Sequence, residues 1–120
     1  MHNTIDQLQV MFEGGGASVR SLLAGGMFTS VVEVPAGADF AAALAGLPND
    51  LCPSPHWGYM LDGTIHLRYR DGSEETARAG DVFYWPAGHT ASSPEGARFV
   101  EVSPRDDLTQ LLDHMNAASG

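Results

Sequence analysis

Alternation of apolar and polar residues covers much of the chain and predicts β-strands. Residues 64–70 show the clearest alternation. Ile65, Leu67 and Tyr69 share one face of this extended segment, and polar residues occupy the other face. Residues 27–34 are rich in aromatic and β-branched side chains and end at a Pro-Ala-Gly turn sequence. We therefore expect many short strands joined by tight turns.

Two Asp-Gly pairs predict hairpin turns. Asp62-Gly63 follows an apolar run, and Asp71-Gly72 follows the alternating run. Asp-Gly suits the left-handed backbone angles of a two-residue hairpin loop. We therefore predict two consecutive hairpins, with a strand ending at each pair.

Two segments have helical patterns. Residues 39–47 begin with a capping aspartate and end before a proline, which predicts one or two helical turns. Ser103, Pro104 and Asp106 match a helix start with a side-chain cap, a proline at the first position and an acid closing the capping box. We predict an amphipathic helix over about 104–117 that docks on the strands or on a partner subunit. Its apolar residues recur at i, i+3, i+4 and i+7: Leu108, Leu111, Leu112 and Met115.

Length and composition favour one all-β domain. The chain has 120 residues, 43% of them hydrophobic, which is enough for a single core. Its 14 glycines and seven prolines are scattered through the sequence, as expected for turns between many short elements. We predict one domain over residues 1–120, with an N-terminal arm or edge strand over about 1–16, a barrel over about 17–103, and the terminal helix.

The charge excludes some classes of partner. The formal net charge is -9, and all six basic residues are dispersed arginines. Such a surface repels nucleic acid and anionic membranes, so neither is expected as a partner. No run approaches the ~20 apolar residues that span a bilayer, and the first residues lack a secretion-signal pattern. We expect a cytoplasmic protein whose lone cysteine forms no intramolecular disulfide.

Two groups of residues resemble the paired motifs of the cupin superfamily. The second cupin motif has a glycine, five residues and Pro-x-Gly, a spacing that Gly80, Pro86 and Gly88 reproduce. The first motif ends with a glutamate, six residues and a glycine. Counting back from Gly63 places His56 at the glutamate position. The resemblance covers about a third of the chain and rests on spacing more than on identity.

The resemblance implies a fold and a site. It implies the cupin double-stranded β-helix, an RmlC-like jelly-roll barrel of six to eight strands, here with a short C-terminal helix. The His-x-His of the family falls on Asp50 and Cys52. The family histidine of the second motif falls on Ala91, but His89 has the same strand parity and could enter the same cavity. The chain resembles small single-domain bacterial cupins, most of which have no assigned reaction.

These residues form a candidate metal site of Cys52, His56 and His89. One thiolate and two imidazoles suit zinc best, with iron, nickel, cobalt and manganese as alternatives. Asp50 could add an oxygen ligand. On a straight strand residues 52 and 56 lie ~13 Å apart, so the Pro-Ser-Pro segment between them must bend. The alternative is structural, with Cys52 a small buried hydrophobe, His56 hydrogen-bonded at the barrel mouth and His89 at the end of a turn.

Other chemically active residues are weaker candidates. His2, His66 and His114 are expected at the surface or in packing contacts. Glu33 and Glu101 could act as acid or base if they point inward, but solvated carboxylates are the default expectation. The aromatic residues around the motifs are expected in the core or the cavity wall: Trp57, Tyr59, Phe83, Tyr84 and Trp85.

The sequence therefore predicts a metal-binding cupin that binds or transforms a small molecule inside its barrel. If it is an enzyme, the resemblance implies a metal-dependent oxidoreductase, isomerase or lyase, and it names no substrate. The alternative is a metal-free module that binds a small ligand or a protein partner. We also expect a homodimer joined through an exposed strand and the terminal helix.

Overall fold

The computed structural model describes residues 1–119. Short 3-10 turns lie at Ile5–Gln7 and Pro48–Asp50. The strands and helices are β1 (Gln9–Gly14), β2 (Ala17–Ala24), β3 (Met27–Val34), β4 (Ala38–Asp39), α1 (Ala41–Leu44), β5 (His56–Tyr69), β6 (Glu74–Arg78), β7 (Val82–Trp85), β8 (His89–Ser93), β9 (Ala97–Pro104) and α2 (Arg105–Ser119).

The strands form a curled antiparallel sheet with the order β1-β2-β3-β9-β5-β8-β4, and β6 and β7 also pair with β5. This confirms the predicted all-β jelly-roll barrel with a short C-terminal helix. Neither helix of the described chain combines the length and apolar character that crossing a bilayer requires.

The longest strand, β5, runs through the first Asp-Gly pair, so the hairpin predicted there is wrong. The pairing of β5 with β9 shifts register between Met60 and Asp62, and Gly63 has a φ of +73°. Glycine adopts this angle at little cost, which lets the strand bulge and bend without ending. Before the bend β5 pairs with β7, and after it β5 pairs with β6 and β8. The second predicted hairpin is confirmed between β5 and β6.

Inward-facing side chains fill the space between the two halves of the sheet. The alternation predicted in residues 64–70 is confirmed, because Ile65 and Leu67 are buried while Arg68 is exposed. A second apolar cluster lies beneath α2, where Leu108, Leu112 and Met115 pack with two phenylalanines of the barrel. Burial of these side chains holds the helix on its own barrel.

The predicted cap of the terminal helix is wrong. Ser103 and Pro104 still belong to β9, where they pair with Phe28 and Met27 of β3. The helix begins at Arg105. The Ser103 side chain is fully buried inside the barrel instead of capping the helix.

Candidate metal centre

Two segments of the chain, residues 52–56 and the start of β8, bring Cys52, His56 and His89 together. His56 is the first residue of β5, and His89 is the first residue of β8. Cys52 forms an isolated antiparallel bridge with His89, in which the Cys52 N–H donates to the His89 carbonyl at 2.8 Å. The Gly88 N–H donates to the Cys52 carbonyl at 2.8 Å. These bonds hold the bent proline segment against the start of β8.

The donor atoms of the three side chains converge. One ligand atom from each residue lies within 4.8 Å of the other two, and all three side chains are buried. Cys52 Sγ and His56 Nε2 are 3.6 Å apart. A tetrahedral zinc with a Zn–S bond of ~2.3 Å and a Zn–N bond of ~2.0–2.1 Å places these two ligand atoms about 3.6 Å apart. The spacing of this pair therefore fits one ion between them.

The His89 ring is held in one tautomer. Its Nδ1 lies 2.7 Å from the Pro86 carbonyl oxygen, which can only accept, so Nδ1 carries the proton. Burial is the main reason that the pKa of His89 is lowered, which keeps the ring neutral. A neutral ring with a protonated Nδ1 leaves the Nε2 lone pair free. Metal-binding histidines are commonly oriented by such a bond from the other nitrogen.

His56 is oriented by two groups of β9. Its Nδ1 is hydrogen-bonded to Ser103 Oγ at 2.7 Å and lies 3.4 Å from Glu101 Oε2. Burial lowers the pKa of His56 to about 3 and raises the pKa of Glu101 to about 8. Burial therefore favours the uncharged form of both groups, despite their ion-pair distance. The arrangement leaves His56 Nε2 facing the Cys52 sulfur.

Cys52 is a thiol in the metal-free protein. Burial raises its pKa to about 12, and Sγ–H donates to the Ser54 carbonyl at 3.6 Å. A divalent cation beside the sulfur favours loss of this proton, because thiolate is the form that coordinates metals. Binding an ion here would therefore release a proton.

The cluster lies in the wall of a cavity of about 90 Å³. Most of the remaining wall is apolar, and α2 closes one side with the side chains of Leu108, Leu111, Leu112 and Met115. Trp85 also lines the cavity, and its buried indole N–H has no hydrogen-bond partner within residues 1–119. Burying an unpaired donor costs about 1–3 kcal/mol.

Four other residues considered in the sequence lie outside the cluster. Asp50, a possible oxygen ligand, is exposed, and its carboxylate accepts a hydrogen bond from the Gly46 N–H. Outside the cluster, His2 is exposed, His66 contacts Thr76 on β6, and His114 on α2 donates to the Ala45 carbonyl. All three lie away from the cavity, as expected.

The two candidate carboxylates face opposite sides of the sheet. Glu33 is exposed and lies 2.9 Å from Arg98, whereas Glu101 is buried in the cavity wall. The default expectation of a solvated Glu101 is therefore wrong. Ser103, read from the sequence as a helix cap, is the second missed residue. Both share a strand face with the apolar Ala97 and Phe99, but the valines at 100 and 102 give the opposite face an equally apolar pattern.

The aromatic residues are divided between core and surface. Phe83 and Trp85 are buried and stacked, with ring centroids 3.7 Å apart. Trp57, Tyr59 and Tyr84 are about half exposed on the outer face, so their expected place in the core or cavity wall is wrong. His56 and Trp57 are neighbours on β5 and must point to opposite faces, which explains the difference.

The barrel and its motifs identify the class of protein: the chain has the cupin jelly-roll fold. No family model and no curated protein matches the sequence. Several solved structures are similar. An RmlC-like cupin from Shewanella frigidimarina is 22% identical with a TM-score of 0.62, over 88% of this chain and 93% of its own. Ectoine synthase from P. lautus is 12% identical with a TM-score of 0.65, over 88% of this chain and 78% of its own.

The EutQ protein of Clostridium difficile is also similar, at 21% identity and a TM-score of 0.56, over 75% of this chain and 69% of its own. At such low identities these similarities establish the fold and leave the reaction open.

Proposed function

We propose that the protein is a metal-binding cupin in which Cys52, His56 and His89 hold one divalent transition metal, with zinc as the first candidate. The observation that carries this proposal is the convergence of three buried donor atoms within 4.8 Å. The orientation of both imidazoles by bonds at Nδ1 supports it, since that is how proteins commonly present Nε2 to an ion. Iron, nickel, cobalt and manganese remain alternatives, because one sulfur and two nitrogens do not select a single metal.

We propose that the adjacent cavity takes a small, neutral and mostly apolar molecule. Its wall is largely apolar. The volume of about 90 Å³ is smaller than the ~150 Å³ apolar cavity that admits benzene. The ligand therefore has about five non-hydrogen atoms or fewer while α2 stays in place.

Three protein ligands leave a tetrahedral ion one further position for water or a bound molecule. When bound, such an ion supplies an electrophile that polarises a carbonyl or activates water. The three donor side chains hold the ion, and burial keeps His56 and His89 neutral. The apolar wall of the cavity excludes bulk water. The reaction class stays within the predicted oxidoreductases, isomerases and lyases.

Two further expectations belong to this proposal. A buried free thiol at the site fits a reducing compartment, which supports the cytoplasmic location.

We also propose a homodimer as the functional form. The apolar side chains of the terminal helix pack against the barrel of the same chain, which favours an interface on the exposed strands.

Metal analysis of protein purified without an affinity tag tests the proposal. We expect about one ion per chain, and loss of that ion in His56→Ala, His89→Ala and Cys52→Ala. Cys52→Ala is the variant least disruptive to packing, since it removes one sulfur atom from a buried site. His66→Ala serves as the control, because it removes an imidazole outside the cavity, and it should retain the ion.

Thermal unfolding of each variant checks that the barrel is intact. Equal metal content in wild type, Cys52→Ala and His56→Ala would overturn the metal site. The absence of any bound metal after loading with zinc would instead favour the metal-free binding module. In that case the cavity would bind its ligand without an ion.

A further inference from the structure

Five large apolar side chains are exposed on the outer face of the barrel, away from the metal centre. Three lie at alternate positions of β5 and two at alternate positions of β7. Their exposed fractions are 43% for Trp57, 45% for Tyr59, 40% for Leu61, 82% for Val82 and 51% for Tyr84. Scattered exposed apolar residues are ordinary, but a contiguous group on one face marks an interaction surface.

The strand register makes this group contiguous. Trp57 lies opposite Tyr84, and Tyr59 lies opposite Val82. The Trp57 and Tyr84 rings have centroids 5.1 Å apart with an interplanar angle of 32°. On the other side of β5, Val102 and Val100 of β9 lie opposite Trp57 and Tyr59, which extends the apolar rows. We call the five exposed residues of β5 and β7 the outer apolar face.

The area of this face fits the centre of a protein interface. A large apolar side chain presents roughly 150–250 Å², so the exposed fractions leave about 500 Å² of apolar surface. A standard interface takes about 800 Å² from each partner, and homodimer interfaces are about 65% apolar, which again gives about 500 Å². The polar rim would come from neighbouring residues.

We propose that the outer apolar face is the contact surface between two copies of this chain. The inference takes the homodimer of the proposed function and assigns its surface, and it is independent of the metal. Each copy carries a net charge of -9, so two copies repel, and the repulsion is smallest where uncharged faces meet. A partner attracted by the negative charge of this protein would be cationic and would bind its acidic surface. The outer apolar face has no charged side chain and therefore does not suit such a partner.

The border of the face suits a second copy turned by a two-fold rotation. Next to the apolar rows lie Glu33, Arg98 and Asp62, which follow one another across β3, β9 and β5. A border with both signs of charge lets each copy present an opposite charge to the other, as a self-complementary interface requires.

The edge of the sheet supports the same arrangement. Within residues 1–119, β7 pairs only with β5, so its other edge is open for backbone contact. The face and the open edge are adjacent. A second copy can therefore cover exposed side chains and an unpaired strand edge together.

Light scattering on matched variants tests the assignment. Val82→Arg places a charge in the outer apolar face. Val10→Arg places the same charge on β1, which is four strands from β5 in the sheet order. Leu61→Arg and Leu23→Arg form a second matched pair, since these leucines are 40% and 48% exposed. We expect wild type, Val10→Arg and Leu23→Arg to have twice the 12.7 kDa mass of one chain.

Val82→Arg and Leu61→Arg should have the mass of one chain, with a dimer dissociation constant raised at least tenfold. A dimer that persists in both variants overturns this surface while leaving the homodimer in place. A wild-type protein that is monomeric at micromolar concentration overturns both. Metal content measured on the same samples should not change, which separates this test from that of the metal centre.

Discussion

Replacing Glu101 by glutamine should stabilise the metal-free protein increasingly as the pH rises. Burial raises the pKa of Glu101 from 4.5 to about 8. Below about pH 4.5 the carboxyl is protonated in both the folded and the unfolded chain. Between 4.5 and 8 the unfolded chain releases the proton while the folded chain keeps it. Each pH unit in this window therefore lowers the free energy of unfolding by a little over 1 kcal/mol.

At about pH 7 the accumulated loss is on the order of 3 kcal/mol. Glutamine has nearly the same shape and stays neutral at every pH, so Glu101→Gln escapes this loss. Its advantage over wild type should grow from about 1 kcal/mol or less near pH 5 to about 3 kcal/mol near pH 7. His56 has the opposite dependence, because burial lowers its pKa to about 3 and stability is lost as the pH falls below about 6.5. That contribution is common to both proteins and cancels in the comparison.

Urea unfolding in the presence of a chelator, followed by tryptophan fluorescence at several pH values, measures the difference. Glu33→Gln is the control for loss of an exposed carboxylate. A difference between Glu101→Gln and wild type that does not change with pH would refute the reasoning. A disadvantage of Glu101→Gln that grows with pH would show that Glu101 is ionised and paired with protonated His56.

Two further predictions follow from side chains and backbone near the site. Ser103→Ala should weaken metal binding by about 10- to 100-fold through loss of its bond to His56, whereas Ser93→Ala, which removes another fully buried hydroxyl, should leave it unchanged. Competition with a zinc chelator measures both, and equal affinities would contradict the role of Ser103. Gly63→Ala should cost ~1–3 kcal/mol more than Gly72→Ala in urea unfolding, since both glycines have positive φ but only a Gly63 methyl would meet the Gly96 carbonyl. Equal costs would mean that β9 moves away.

The fold could be predicted from the sequence because its signals are local. The Gly80, Pro86 and Gly88 spacing fixes a turn between two strands, and the alternation in residues 64–70 fixes which side chains point inward. The resemblance to the cupin motifs implied that the candidate ligands converge, which requires a bend before His56. Their capacity to hold an ion stays a prediction.

The groups around the candidate ligands could not be predicted in the same way. In β9, Val100 and Val102 look like the buried face, whereas the structure buries Phe99, Glu101 and Ser103. Strand propensity cannot tell which face of β9 is buried, because the outward-facing valines belong to an apolar outer surface and look like core residues. Asp62-Gly63 was misread for a related reason, since a positive φ serves a bulge within a strand as well as the turn of a hairpin.

The curl of β5 couples the shape of the barrel to its chemistry. His56 at one end of the strand lies opposite Trp85, and Tyr69 at the other end lies opposite His89. A straight 14-residue strand would separate its ends by about 43 Å. Trp85 and His89, which pair with the two ends, are four residues apart in the chain and therefore at most about 14 Å apart. The strand must therefore fold back on itself for the imidazoles to meet. A distant change that relaxed this curvature would pull the donor set apart without touching any of its members.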